Sequence, residues 1–230
     1  MTTDLNTRGA LYANLALAFD YPESDEDFDL LRDSLRALAR QLETRGGLLL
    51  ALDEFDAATR ELSTASLAPM EEYTFLFARQ TPCPLYETAY IPGNQGNMLA
   101  DIAGFYRAFG MRIADDTHEP VDHLGAQLEF MTLLCAKETH ARARNLSEQA
   151  EICHAARRAF FADHLGRWPL YLLARLEDRA RLALYPALGH VLRAVLEIEA
   201  RELHVALESP EQFAPSGPAA REEEPIECLV

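Results

Sequence analysis

The 230-residue sequence contains one lysine, four scattered cysteines and no long apolar run. No stretch approaches the roughly 18 apolar residues of a membrane-spanning helix, so we predict no membrane insertion. The N-terminal segment carries Asp4 and lacks a small-residue cleavage site, which is unlike a secretory signal peptide. The cysteines form no CxxC pair, so a reducing compartment is expected rather than a set of disulfides. These absences predict a soluble, cytoplasmic protein.

Several short enzyme motifs are also missing. The chain has no GxxxxGK[ST] phosphate loop, no GxGxxG and no GxSxG turn. Its 37 acidic residues outnumber its 21 basic ones, which gives a formal net charge of -16. Because so acidic a surface repels nucleic acids and anionic lipids, we predict no nucleic-acid function. The charge favours cationic partners or serves simple solubility.

Apolar residues recur at intervals of three and four along most of the chain, as expected for helices that bury one face. We expect helices up to residue 19 and over about 24–45, 48–62, 69–77, 98–109, 120–135, 147–164, 169–182 and 186–207. No alternating run is long enough to require a strand. The sequence therefore predicts an all-α fold, with one compact multi-helix domain at 1–208 and a disordered acidic tail at 209–230.

A region rich in proline and glycine interrupts this pattern at residues 79–97, and we call its segment 82–90 the proline loop. Two prolines around Cys83 hold the loop stiff and extended, so that it can present Tyr86 and Glu87 to a partner. A reactive or metal-binding thiol is the alternative for Cys83. A lone cysteine with no lysine or histidine nearby in sequence favours a structural thiol.

A second polar motif, Glu119-Pro120-Val121-Asp122-His123, precedes an apolar helix. Proline suits the first turn of a helix, and the macrodipole favours carboxylates there. The simplest interpretation is therefore a well-capped helix start. In the functional alternative, Glu119 and Asp122 form an acidic clamp that takes arginine guanidinium groups by bidentate hydrogen bonds.

The sequence Asp-His-Leu-Gly occurs twice, at 122–125 and 163–166. This repetition raises a rival hypothesis, a helical metal-dependent hydrolase that uses His123, His164 and nearby carboxylates. The flanking residues differ, however, and the other histidines show no HxxxH or HxxE spacing. Structural or solvated histidines are therefore favoured over a metal site.

In this order, the motifs resemble the redox-enzyme maturation chaperones of the TorD/DmsD/NarJ type. The resemblance covers most of residues 8–205 and rests on Phe19-x-Tyr21-Pro22, Tyr73-x-x-Leu76-Phe77, Pro84-x-Tyr86-Glu87, Tyr106, Gly110, Glu119-Pro120-x-Asp122-His123, Leu128-Glu129-Phe130-Met131 and His164-x-x-x-Trp168. The Pro-Cys-Pro-x-Tyr-Glu loop is most similar to that of chaperones for type II dimethyl-sulfoxide-reductase-like enzymes. Those enzymes include dehydrogenases and reductases for ethylbenzene, dimethylsulfide, selenate or chlorate.

The resemblance implies a binding protein with no catalysis and no cofactor of its own, and it leaves weak binding of a guanine nucleotide open. Its partner would be the molybdopterin-containing catalytic subunit of a dimethyl-sulfoxide-reductase-family enzyme, often bound at the twin-arginine signal peptide. Binding would keep that subunit competent for cofactor insertion and delay its export. A monomer or a domain-swapped dimer is expected.

Acidic and aromatic side chains together would match both parts of a twin-arginine leader, its two guanidinium groups and its apolar stretch. We predict that Leu76, Phe77, Tyr86 and Glu87 line one wall, and that Glu119, Asp122 and His123 form a polar rim. The full predicted client-binding set is Tyr73, Leu76, Phe77, Pro82, Cys83, Pro84, Tyr86, Glu87, Tyr90, Glu119, Pro120, Asp122 and His123.

Overall fold

The computed structural model describes residues 2–24, 26–42, 45–62, 68–78, 82–112 and 120–210. These residues form nine α-helices and no β-strand, which confirms the predicted all-α class. The helices are α1 (Thr2–Ala18), α2 (Glu26–Ala39), α3 (Leu48–Glu61), α4 (Pro69–Phe77), α5 (Gln95–Phe109), α6 (Leu124–Ala143), α7 (Ser147–Phe160), α8 (Pro169–Arg179) and α9 (Leu184–Leu203). None of the described helices has the length and apolar character that a bilayer crossing requires. Residues 211–230 of the predicted tail lie outside the part of the chain that the structure describes.

The helix α9 is the centre of the fold, because it packs against α1, α3 and α8 at once. Its apolar side chains Leu188, Val191, Leu192, Val195 and Leu196 are each at most 2% exposed. A helix that is apolar on most of its surface must be covered by its neighbours. The burial of these side chains therefore supplies much of the driving force for packing α1, α3 and α8 around α9.

The helices α1 and α6 lie close together along their lengths. Leu11 and Leu15, which belong to the predicted apolar stripe of α1, are fully buried. Gly9 permits the close approach, since a Cβ atom there would lie 3.0 Å from the Cβ of Cys135. The hydroxyl of Thr132 also donates to the carbonyl oxygen of Gly9 at 3.2 Å.

A buried cluster of charged side chains joins α1, α6, α7 and α9. Arg157 of α7 donates from Nε to Glu138 at 3.1 Å and also pairs with Glu199, and all three side chains are 1% exposed. Arg8 of α1 donates to the other oxygen of Glu199 at 3.1 Å. Burial alone would lower the pKa of Arg157, but the charges of Glu199 and Glu138 outweigh burial and raise that pKa. Arg157 therefore keeps its positive charge inside the protein.

The chain leaves α-helical geometry after α7, in a π-helical turn at Phe161–Leu165. The N–H of Gly166 donates to the carbonyl oxygen of Phe161 at 2.7 Å. A Cβ atom at Gly166 would lie 2.7 Å from that same oxygen, so the turn requires glycine. His164 is 3% exposed within this turn. The sequence predicted an uninterrupted helix to residue 164, whereas π-turns of this kind often mark functional sites.

Candidate functional site

The proline loop pairs with the segment just before α6, so that two motifs far apart in sequence lie side by side. The N–H of Glu87 donates to the carbonyl oxygen of Asp122 at 3.2 Å, and the N–H of Leu124 donates to that of Leu85 at 2.7 Å. These bonds form an isolated antiparallel bridge between Tyr86 and His123. The loop is thus fixed by backbone hydrogen bonds as well as by its prolines.

Asp122 is buried, contrary to the exposed rim position that we predicted. Its side chain is 1% exposed, and Oδ2 accepts from both the N–H and the hydroxyl of Thr88, at 2.9 and 2.8 Å. The carboxylate therefore holds the start of a 3₁₀ turn at Glu87–Ala89 inside the proline loop. Glu119, its predicted partner in an acidic clamp, lies outside the described residues.

The helix α6 begins at Leu124, so the predicted position of Pro120 in its first turn is wrong. His123 is the N-cap, and its Nδ1 accepts from the N–H of Gly125 at 3.2 Å. Residues 120–123 form a turn in which the N–H of His123 donates to the carbonyl oxygen of Pro120 at 3.0 Å, and His123 itself is extended. Pairing with the proline loop therefore holds this segment outside helical geometry and delays the start of the helix. Tyr106 also fixes this segment by donating its hydroxyl to the carbonyl oxygen of Val121 at 2.9 Å.

A buried polar network connects the proline loop to α5, α6 and the π-turn. Glu87, which is fully buried, accepts from the amide of Gln127 at 2.7 Å and lies 3.2 Å from Nδ1 of His164. The indole N–H of Trp168 donates to Gln127 at 3.0 Å. Nε2 of His164 lies 3.2 Å from a carboxylate oxygen of Asp101. Glu87 therefore supports the loop from beneath, and our prediction that it is presented to a partner is wrong.

His164 carries the positive charge of this network. Burial lowers its pKa, but hydrogen bonds and charge from Glu87 and Asp101 outweigh burial, so the pKa is raised above its ordinary value. The imidazolium can donate to both carboxylates at the same time. The charge of the otherwise buried Glu87 is thereby compensated.

Aromatic side chains cover the network on the side of the loop. Tyr90 stacks on Trp168 with ring centroids 5.5 Å apart. The guanidinium group of Arg175 lies 4.7 Å from the centre of the Tyr90 ring, and Arg175 also donates to the carbonyl oxygen of Pro82 at 3.3 Å. The helix α8 thus fixes both ends of the proline loop.

The predicted aromatic residues of α4 lie next to this loop. The N–H of Cys83 donates to the carbonyl oxygen of Leu76 at 3.1 Å, which joins the end of α4 to the loop. Tyr73 and Phe77 are half-buried and contact each other, with ring centroids 4.9 Å apart. The structure therefore brings together every described member of the predicted set, although contact with a client stays a prediction.

The predicted set divides into an inner and an outer layer. Burial places five members in the inner layer, namely Leu76, Cys83, Pro84, Glu87 and Asp122. Tyr86 is 39% exposed. The outer layer consists of the exposed or half-buried members, namely Tyr73, Phe77, Pro82, Tyr86, Tyr90, Pro120 and His123.

The structure gives no support to metal or thiol chemistry at this site. Burial raises the pKa of the Cys83 thiol to about 11, partly offset by the charge of Arg175, so the thiol is protonated at neutral pH. His123 caps a helix and His164 pairs with two carboxylates. Among the residues that the structure describes, no three His, Cys, Asp or Glu side chains form a group that could hold a metal ion.

Two members of the network, Gln127 and Asp101, were missed by the sequence analysis. Gln127 occupies an inward position of α6 beside Leu124 and Leu128, where a polar residue implies a buried partner. A polar residue at this inward position could therefore have been predicted from the sequence to belong to a buried hydrogen-bond network. Asp101 is 63% exposed on α5 and resembles any other surface carboxylate in sequence.

Residues 29–170, which include the predicted client-binding set and the buried polar network, match the family described as nitrate reductase delta subunit. The chain belongs to this family. The match confirms the resemblance to redox-enzyme maturation chaperones. It also explains the order of the motifs, since the family match includes the proline loop, α6 and the π-turn.

Three proteins similar to this chain are named as assembly chaperones of reductases. The chain is 36% identical over 118 residues to a perchlorate reductase assembly chaperone protein of Dechloromonas aromatica, covering 49% of this chain and 51% of the relative. It is 37% identical over 114 residues to a selenate reductase assembly chaperone protein of Thauera selenatis, covering 48% and 58%. The match to a chlorate reductase assembly chaperone protein of Ideonella dechloratans is 30% identical over 185 residues and covers 79% and 83%.

Proposed function

We propose that this chain is a cytoplasmic assembly chaperone for the catalytic subunit of a molybdenum enzyme. The observation that carries the proposal is that all three relatives described above are named assembly chaperones of reductases. The chain binds the catalytic subunit, including its twin-arginine leader, before export. It keeps the subunit receptive to the molybdopterin cofactor and catalyses no reaction itself.

The two layers of the site support this function in different ways. The outer layer offers aromatic and proline side chains, which are well suited to binding a partner through apolar contact. The inner layer fixes the backbone of the proline loop, so that little conformational entropy is lost when a client binds. The net charge of -16 attracts a leader that carries two arginines.

The experiment is capture of the catalytic subunit of a chlorate- or selenate-reductase-like enzyme from the same cells. We expect the tagged chain to retain the catalytic subunit. We also expect the molybdenum content of the enzyme to fall when the chaperone is deleted. Tyr86→Ala should weaken capture about tenfold, because Tyr86 is an exposed aromatic of the outer layer. Retention on the tagged chain and metal analysis by mass spectrometry are the readouts.

Leu146→Ala is a suitable control, since Leu146 is 41% exposed but lies between α6 and α7, away from the loop. It should leave capture unchanged. The proposal would be contradicted if the chain retained no catalytic subunit, or if deletion of the chaperone left the molybdenum content of the enzyme unaltered.

A further inference from the structure

A groove between the end of α1 and the start of α2 is not part of the predicted client-binding set. We call it the α1–α2 groove, with a volume of about 430 Å³ and apolar lining residues Leu17, Ala18, Tyr21, Phe28, Leu30 and Leu31. Leu17 is 73% exposed, Leu30 71% and Tyr21 54%. A single exposed leucine is ordinary, whereas three large apolar side chains around one concave surface indicate a binding site.

The rim of the α1–α2 groove is acidic. Asp20 and Asp27 line it and are exposed, and neither forms an ion pair with another described residue. Among the described residues that line the groove, none is a lysine or an arginine. Both carboxylates accept hydrogen bonds from backbone N–H groups, but neither is neutralised by a described cation. Together with the apolar floor, they fit a peptide with an apolar face and positive charges beside it.

The α1–α2 groove is continuous with the predicted client-binding set. Tyr21 at its edge contacts Tyr73 of α4 edge-on, with ring centroids 5.4 Å apart. The hydroxyl of Tyr73 donates to the carbonyl oxygen of Phe19 at 3.1 Å, which ties α4 to the end of α1. A client seated on the outer layer of the site can therefore extend into this groove without crossing a polar gap.

We propose that the α1–α2 groove binds the leader of the client, and this rests on the proposed function. The apolar stretch of the leader lies against Leu17, Tyr21 and Leu30, and its two arginines pair with Asp20 and Asp27. The volume of the groove lies in the range of sites that enclose a few large apolar groups. The mature part of the catalytic subunit then occupies the proline loop and its outer layer.

The test uses a labelled synthetic peptide with two adjacent arginines followed by roughly ten leucines and alanines, the length of the apolar region in export signals. A second peptide carries glutamines in place of the arginines. Fluorescence anisotropy measures binding of each peptide to the full chain. Leu30→Glu should weaken binding of the arginine peptide at least about tenfold, because a buried leucine contact is lost and a charge is introduced.

The charge of the rim is tested by the double variant Asp20→Asn/Asp27→Asn. Asparagine retains the oxygen with which Asp27 accepts from the N–H groups of Glu23 and Ser24, so the start of α2 is preserved. Affinity for the arginine peptide should fall about fivefold, and affinity for the glutamine peptide should not change. Leu50→Glu is the matched control, since Leu50 is 67% exposed on α3, and it should bind like the wild type.

Three outcomes would overturn the proposal. In the first, Leu30→Glu binds the arginine peptide as tightly as the wild type or no worse than Leu50→Glu. In the second, Tyr86→Ala abolishes peptide binding while Leu30→Glu does not, which would place the leader on the proline loop. In the third, Leu30→Glu converts a dimer to a monomer in size-exclusion chromatography with unchanged peptide affinity, so that a second copy covers the groove.

The failure of the groove and the failure of the proposed function can be told apart. If the wild type binds no peptide but still captures a catalytic subunit that lacks its leader, only the groove proposal fails. If it captures neither the peptide nor the subunit, both fail. Circular dichroism of each variant must match the wild type for a loss of binding to count.

Discussion

His164 lies between two carboxylates of very different exposure, since Glu87 is fully buried and Asp101 is 63% exposed. A neutral imidazole has one N–H donor, whereas the imidazolium has two and can satisfy both neighbours. The proline loop, the π-turn and α5 are therefore joined fully only when His164 is protonated. This single side chain makes the geometry of the site sensitive to pH.

Stability is expected to fall as pH rises above the ordinary pKa of His164. Its pKa is raised in the folded state, so the folded protein holds a proton that the unfolded chain releases at about pH 6.5. The stabilisation is complete below that pH and is lost as pH rises through the folded pKa. Urea unfolding from about pH 6 to about pH 9 measures this slope.

His164→Gln should flatten this dependence. His190, whose pKa is raised by Glu177 and Glu54 against the effect of burial, contributes in the same direction and remains in that variant. His190→Gln is therefore the control, since it removes the contribution of His190 and keeps that of His164. An identical slope in the wild type and in His164→Gln would mean that His164 does not hold its proton in the folded state.

Sequence alone could assign the motif residues to one site, but it could not show which of their side chains are buried and which face solvent. Charged residues are expected at the surface, because an unpaired buried charge is costly. Glu87 is an exception, since its partners Gln127 and His164 lie 40 and 77 positions away. Nothing local in the sequence reveals such pairs, which is why Glu87 and Asp122 were predicted to face a client.

At the scale of elements, periodicity predicted each of the nine helices in the described part of the chain. It gave the wrong boundaries where distant backbone contacts determine where a helix begins. The start of α6 depends on pairing between Leu85 and Leu124, which no local pattern contains. The π-turn at Phe161–Leu165 also escaped, because one additional residue in a turn barely changes the spacing of apolar positions. Its one sequence signal is Gly166.

Gly166→Ala is expected to destabilise the fold by about 1–3 kcal/mol, because the added Cβ would press on the carbonyl oxygen of Phe161. Gly104→Ala is its matched control. A Cβ atom at Gly104, inside α5, meets no atom within 4 Å, so this variant should gain roughly 0.5–1 kcal/mol from helix propensity. Thermal unfolding of both variants provides the comparison. Equal effects of the two substitutions would refute a special role for the π-turn.

At the scale of the whole molecule, the buried ion cluster joins helices that are far apart in sequence. Glu199 accepts from Arg8 and Arg157, whose positions in the chain are 191 and 42 residues away. Removing one member of such a cluster leaves the remaining buried charges only partly compensated. The first and last helices of the described chain are thereby coupled.

Arg157→Leu should cost about 3–5 kcal/mol, since it leaves Glu138 and Glu199 without their shared partner. The double variant Arg157→Leu/Glu199→Leu should cost less than the sum of the single variants, because residues of one ion network are not additive. Urea unfolding of the four proteins completes the cycle. Strict additivity would show that Arg157 and Glu199 do not stabilise each other.

Trp168 is the single tryptophan of the chain, and it is buried between Tyr90 and Gln127. The protein thus carries an intrinsic fluorophore where the proline loop meets the π-turn. Any client that displaces Tyr90 alters the polarity and the quenching around this one indole. Emission excited in the ultraviolet therefore reports the state of the loop directly, without a label and without interference from a second tryptophan.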